Sequence, residues 1–181
     1  CRVLHCGGLP ENCTAETLVS KKQIEPKLAT TIAQQAQGNY NQALHLLENN
    51  DDDFPFDEWF VTWVRAAFKA KGNAAAIQDL ILWSEQIAVL GRETQKKFLE
   101  FCIEMFRQAL LLNYESQSLV YLEPKVEKFK LANFAPFVNG NNIHEIFKGL
   151  SDAMYHIERN GNAKIILTDL SIKLTRLIHK K

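Results

Sequence analysis

From Phe56 onward, large apolar residues recur three and four positions apart. Trp59 and Phe60, Trp63 and Val64, then Ala67 and Phe68 draw one wide stripe along a helix. Ile77, Leu80, Ile81, Ile87 and Ala88 draw a second. Phe98, Phe101, Cys102, Met105, Phe106, Ala109 and Leu110 draw a third, which ends near Asn113 where the polar stretch YESQS interrupts the pattern. This third helix should be the central one. A shorter amphipathic piece is expected over residues 123–132, within a connection that holds Pro124 and Pro136. The pattern resumes at Ile143, Ile146, Phe147, Leu150, Ala153, Met154 and Ile157. It stops at Asn160 and Gly161, residues that tolerate the left-handed backbone of a helix end. A last stripe uses Ile166, Leu167, Leu170, Leu174, Leu177 and Ile178, and closes on Lys180 and Lys181, cations that suit the helix dipole. Period-two alternation is hard to find, so the fold class expected is all-α.

The first fifty residues divide by the same test into three shorter helices. One covers residues 11–21. The next opens with Pro26 just inside its start, where a missing amide costs nothing, and carries Leu28, Ile32, Ala33 and Ala36 to a stop at Gly38. The third places Tyr40, Ala43, Leu44 and Leu47 on one face. The run Asn49, Asn50, Asp51, Asp52, Asp53 then offers short side chains that compete for backbone hydrogen bonds, and reads as a linker. Two helical domains follow, residues 1–53 and residues 54–181, the second with about five helices. No self-similarity appears at the periods of about 33–47 residues typical of helical repeats.

Composition narrows the functional classes. With 181 residues, 46% of them apolar and 10% aromatic, the chain has ample material for a core. Twenty-one basic and twenty-one acidic residues cancel, which argues against a dedicated nucleic-acid binder. No window approaches the roughly 18–20 apolar residues of a membrane span, so the expectation is a cytoplasmic protein. The opening CRVLHCGGLPENC lacks the basic and apolar regions of a secretion signal and is expected to continue from sequence upstream.

Candidate chemistry is sparse. Cys1, His5, Cys6 and Cys13 could be drawn as a zinc site, but they lack the paired spacing of structural sites, and reduced thiols are the preferred reading. Cys102, inside an apolar stripe, reads as a small buried hydrophobe. His144 and Glu145 begin like a zinc-protease signature, yet position 148 is Lys where a second histidine is needed. His45, His156 and His179 stand singly. None of the eight glycines forms a phosphate-cradling loop. Phe56, Trp59, Phe60 and Trp63 are expected in a core and not as base-stacking platforms. Lysines at 69 and 71, at 96 and 97, at 125, 128 and 130, and at the C-terminus read as solvated faces. No catalytic residue, metal or cofactor is expected.

Residues 28–47, LATTIAQQAQGNYNQALHLL, resemble the lid of the clamp-loader branch of the AAA+ family, in which an "IA..A.G" helix end precedes an "AL.LL" helix. The downstream segments WSEQIAVLGRETQKKFLEF and ANFAPFVNGNNIHEIFKGLSDAMYHIERNGNAKIILTDLSIKL are similar to the collar domain of the same family, most of all in bacterial DNA polymerase III subunits of the delta-prime type. The resemblance implies a lid from about residue 9, a collar from about residue 54, and a Rossmann-like AAA+ module upstream. In hydrolysing members, the third residue after the lid glycine is an arginine that reaches the phosphates. Here Asn41 holds that position, and it has no charge with which to stabilise a transferring phosphate. The resemblance therefore implies a non-catalytic subunit. Its partners would be the other clamp-loader subunits through the collar, with the sliding clamp and primer-template DNA met only through the whole assembly. A gamma/tau-type ATPase subunit and an unrelated helical scaffold are the alternatives.

A collar must grip neighbours with apolar residues left over from its own core. Leu82, Trp83, Leu111 and Tyr155 fall off the main stripes and are the interface candidates.

Overall fold

The computed structural model describes residues 11–22, 25–36, 40, 43, 54–114, 116 and 119–180. Among these, every regular element is helical. The chain divides into two compact units, Cys1–Phe54 and Pro55–Lys181.

In the first unit, α1 (Glu11–Lys22) packs against α2 (Pro26–Gln35). Pro26 takes the first helical position, as expected, and the Glu25 carbonyl accepts from the Ala29 amide at 3.0 Å. Leu18, Ala29, Ile32, Ala36 and Ala43 form the core, with Val19 and Tyr40 against it. Three alanines in so small a core let the helix backbones approach closely. The stop expected at Gly38, the remainder of the third helix with Leu44 and Leu47, and the linker 49–53 lie outside the described residues.

The second unit contains five long helices: α3 (Phe56–Lys69), α4 (Ala74–Ala88), α5 (Arg92–Asn113), α7 (Ile143–Glu158) and α8 (Ala163–Leu177). The short α6 (Leu131–Phe134) and a 3-10 turn (Ala135–Phe137) precede α7. In packing order the long helices form a ring, α3 on α4, α4 on α8, α8 on α7, α7 on α5 and α5 on α3, with α3 and α8 also touching across it. Stripes spaced for helix put Phe60, Trp63, Phe98, Phe106, Leu150, Ile157 and Leu167 into one continuous core. α5, expected to be the central helix, meets α3, α6, the 3-10 turn and α7 and buries Phe98, Cys102, Met105, Phe106 and Ala109, while α3 and α8 each touch three of the other long helices.

Polar side chains hold the ends. Asn73 Oδ1 accepts from the Ala75 amide at the start of α4, and Asn162 Oδ1 accepts from Ile165 at the start of α8. Gln95, buried in the first turn of α5, reaches the carbonyls of Ala88 at 3.0 Å and Leu90 at 2.7 Å, closing the α4 C-terminus. Asn142 is fully buried, and its Nδ2 donates to Phe137 O at 2.8 Å and Leu177 O at 3.0 Å, which ties the start of α7 to the end of α8. α7 ends in a Schellman motif: Asn160 is left-handed at φ 63°, its amide donates to Ile157 O, and the Gly161 amide donates to His156 O at 2.8 Å.

Two expectations are corrected. The amphipathic helix anticipated over residues 123–132 does not form; only the four residues Leu131–Phe134 are α-helical there. Pro124 supplies no amide, Lys128 turns left-handed at φ 60°, and side chains elsewhere take up the backbone groups. Gln108 Oε1 accepts from the Tyr121 amide, Asp57 Oδ2 accepts from the Lys125 amide, and Arg65 donates to Lys128 O. Those bonds supply part of what a helical ladder would have given.

The second correction concerns α4, which is rotated relative to the stripe read from its sequence. Ile77 is 43% exposed and Ile81 half-buried, while Ala76, Leu80, Trp83, Ser84 and Ile87 face inward. Trp83 decides the rotation. Its indole stacks on Trp63 with centroids 5.0 Å apart and planes 5° from parallel, and its Nε1 donates to Trp59 O at 3.1 Å. Trp63 Nε1 in turn donates to Ser171 Oγ of α8 at 2.8 Å. No isoleucine could bury as much surface or satisfy those polar groups.

Replacing Ser171 with Ala would leave the Trp63 indole N–H buried without an acceptor. A loss of about 1–3 kcal/mol is expected, measured as a lower urea midpoint at unchanged slope. At Gly161 an added Cβ would come 2.8 Å from the His156 carbonyl oxygen. Gly161→Ala should therefore lower the thermal midpoint by the equivalent of about 1–3 kcal/mol, whereas an unchanged midpoint would show that the α7–α8 turn can shift freely.

Candidate functional site

The outer surface of the α3–α4 pair holds the most developed of the expected interface positions. α4 faces inward through Leu80, Trp83 and Ile87, which leaves Leu82, one residue round the helix from Trp83, 53% exposed. Across from it, Thr62, Arg65 and Lys69 of α3 stand on the far bank of a shallow groove of about 480 Å³, with Asp79 and Gln86 of α4 beside Leu82. An apolar knob in a rim of both charge signs has the chemistry of a protein contact and offers no reacting group.

The remaining candidates are dispersed. Trp83 reaches the floor of the same groove but is 3% exposed, so it belongs to the core and not to a surface, for the stacking reason given above. Leu111 is half-buried near the end of α5. Tyr155 stands 51% exposed on α7, with the Arg159 guanidinium 3.6 Å from its ring centroid and the His156 ring edge-on. That contact orders a large amphipathic ring at the surface. The groove beside Leu82 contains neither Leu111 nor Tyr155. Asn41, the position of the absent phosphate-binding arginine, lies outside the described residues, as do Cys1, His5, Cys6 and His45.

Sequence reasoning missed other exposed apolar residues. Val89 is 84% exposed just past α4, and Ile165 and Ile172 stand out from α8 at 66% and 42%. Lys164 pairs with Glu85 at 2.6 Å, joining the start of α8 to the end of α4. The seven-residue spacing of Ile165 and Ile172 was visible in the sequence; that the pair lies opposite the core face was hidden until Ser171 was seen pointing inward.

Electrostatics add no reactive centre. Burial pushes the Cys102 thiol well above its ordinary value, which keeps it protonated and inert. A hydrogen bond from Lys148 holds the Asp152 carboxyl below the usual range, and a hydrogen bond to Glu158 raises Lys96. Both are exposed pairs on helix surfaces, of small consequence for stability. Among the described residues no three His, Cys, Asp or Glu side chains gather closely enough to hold a metal, and no helix is long and apolar enough to cross a membrane. Comparison with protein-family models, with curated proteins and with solved structures returns no match to this chain.

Leu82 and its neighbour separate surface from core. Trp83→Ala should destabilise the second unit by roughly 3–5 kcal/mol. Leu82→Ala should stay within about 0.5 kcal/mol of the parent. Chemical denaturation followed by tryptophan fluorescence checks both, and equal losses would contradict the placement of Leu82.

Proposed function

We propose that this chain is the non-catalytic C-terminal part of a clamp-loader subunit of the delta-prime type. In this reading the Pro55–Lys181 bundle joins the other subunits in the cytoplasm, and the assembly loads the sliding clamp onto primer-template DNA during replication. The observation that carries it is the set of large apolar side chains on outer helix faces after the inner faces have closed an aromatic core: Leu82 on α4, Tyr155 on α7, Ile165 and Ile172 on α8. Where such side chains adjoin in a patch, they suit contacts with other proteins. The family comes from the likeness of residues 28–47 to a clamp-loader lid and of residues 83–101 and 132–174 to a collar.

Asn41 supports the non-catalytic form of the reading. An amide at the arginine position offers no positive charge to a transferring phosphoryl group. The work left to the chain is then mechanical, holding neighbours at a set angle. A permanent interface of this kind buries on the order of 2,000 Å² or more, and one helix face cannot supply it. Several of the exposed positions would have to act together.

Light scattering on the chain mixed with clamp-loader ATPase subunits should show a complex heavier than either component. Leu82→Asp combined with Ile165→Asp should weaken that complex by roughly tenfold or more with the helical circular-dichroism signal unchanged. A chain that remains monomeric in the mixture would remove the reading.

A further inference from the structure

On the flank of α3 away from Leu82, a second groove of about 230 Å³ separates that helix from residues 128–137. Its walls are phenylalanines. Phe68 is 42% exposed, and its ring meets Phe137 edge-on at 4.8 Å; Phe129 and Phe137 are half-buried beside it. Its rim is basic: Arg65 and Lys69 from α3 face Lys128 and Lys130 from the opposite bank. All four are exposed, and among the described residues no carboxylate pairs with any of them. No acidic residue lines the groove. Elsewhere on this unit the surface lysines at 96, 148, 164, 173 and 180 have carboxylate partners.

We propose that this groove is a docking site for an acidic segment of a partner protein, anchored by one large apolar side chain inserted among the phenylalanines. Four uncompensated cations around an apolar slot are complementary to carboxylates flanking such an anchor. The volume suits one side chain and not a drug-sized ligand, for which pockets run from about 300 Å³ upward. Arg65 is already fixed, with Nη2 donating to Lys128 O at 3.1 Å and its guanidinium 5.8 Å from the Phe129 centroid, so that cation is held in place before any ligand arrives.

Single-stranded nucleic acid is the competing occupant of a basic, aromatic groove, and ring geometry disfavours it. Bases stack on open aromatic faces. His179 lies against a face of Phe68 at 5.1 Å and 28°, and Arg65 covers one of Phe129. With one face of each of those rings already taken, the slot between them receives an inserted side chain better than a run of stacked bases. The chain's zero net charge points the same way.

The inference does not rest on the clamp-loader reading, and its test uses no clamp-loader component. A fluorescently labelled twelve-residue peptide, rich in Asp and Glu with a central Phe and Leu, is titrated with the full chain and read by anisotropy. Saturable binding is expected, weakened by added salt, and weakened roughly tenfold either by Ser in place of the peptide's Phe and Leu or by Lys69→Glu with Lys130→Glu. The Lys69→Arg, Lys130→Arg chain, which keeps the charge, should bind as the parent does. Absence of binding, binding indifferent to both charge reversals in a chain with unchanged circular dichroism, or an oligothymidylate that displaces the peptide at lower concentration would each overturn the proposal.

Discussion

The Trp63–Trp83 stack determines how the second unit can pack. Two indoles lying flat on one another in a core bring a large apolar area together with two N–H groups that must each find an acceptor. The acceptors come from different helices, Ser171 of α8 for one and the Trp59 carbonyl of α3 for the other. That requirement fixes the rotation of α3, α4 and α8 together, because turning any one of them would strand a buried donor. Phe98 and Phe106 of α5 then close against the same rings, Phe98 on Trp83 at 5.9 Å and Phe106 edge-on to Trp63 at 6.2 Å.

Around this core the connections hold by exchanging backbone partners for side-chain ones. Gln95 closes α4, Asn142 joins the ends of α7 and α8, and Asn113 donates to Val138 O at 3.0 Å. Gln108, Glu104 and Tyr121 link α5 to the irregular stretch that follows it, with the Tyr121 hydroxyl donating to Glu104 at 2.6 Å. Amide side chains suit this work because each carries both a donor and an acceptor and can bridge two segments at once. These bonds fasten the irregular stretch to the bundle.

The consequence for function is that the inner faces of the five long helices are fully used, and what the molecule offers to others lies on its outer faces. On one side of α3 the offer is apolar with mixed charge, around Leu82; on the other it is apolar with positive charge, around Phe68. Arg65 and Lys69 border both grooves. Neither groove gathers the nucleophile, base or metal ligands that covalent chemistry requires, and the buried Cys102 thiol is in no position to supply one.

Periodicity alone was enough to place α3, α5, α7 and α8, since each carries a long stripe of large apolar residues. It also located the α7 end at Asn160 and Gly161, whose left-handed tolerance is a property of the residues themselves. The helix expected over residues 123–132 and the assignment of Trp83 to the surface could not have been corrected from the chain, because both turned on partners distant in sequence. Arg65 takes the Lys128 carbonyl that a helix would have used, and Trp63 takes the indole that looked surplus on its own helix. The same limit applies to the groove around Phe68, where Arg65 and Lys69 come within reach of Lys128 and Lys130 only through folding. Spacing along a chain reports which face of a helix is apolar; which of two apolar faces is buried depends on the shape and hydrogen-bonding of whatever packs against it, and that is decided only in three dimensions.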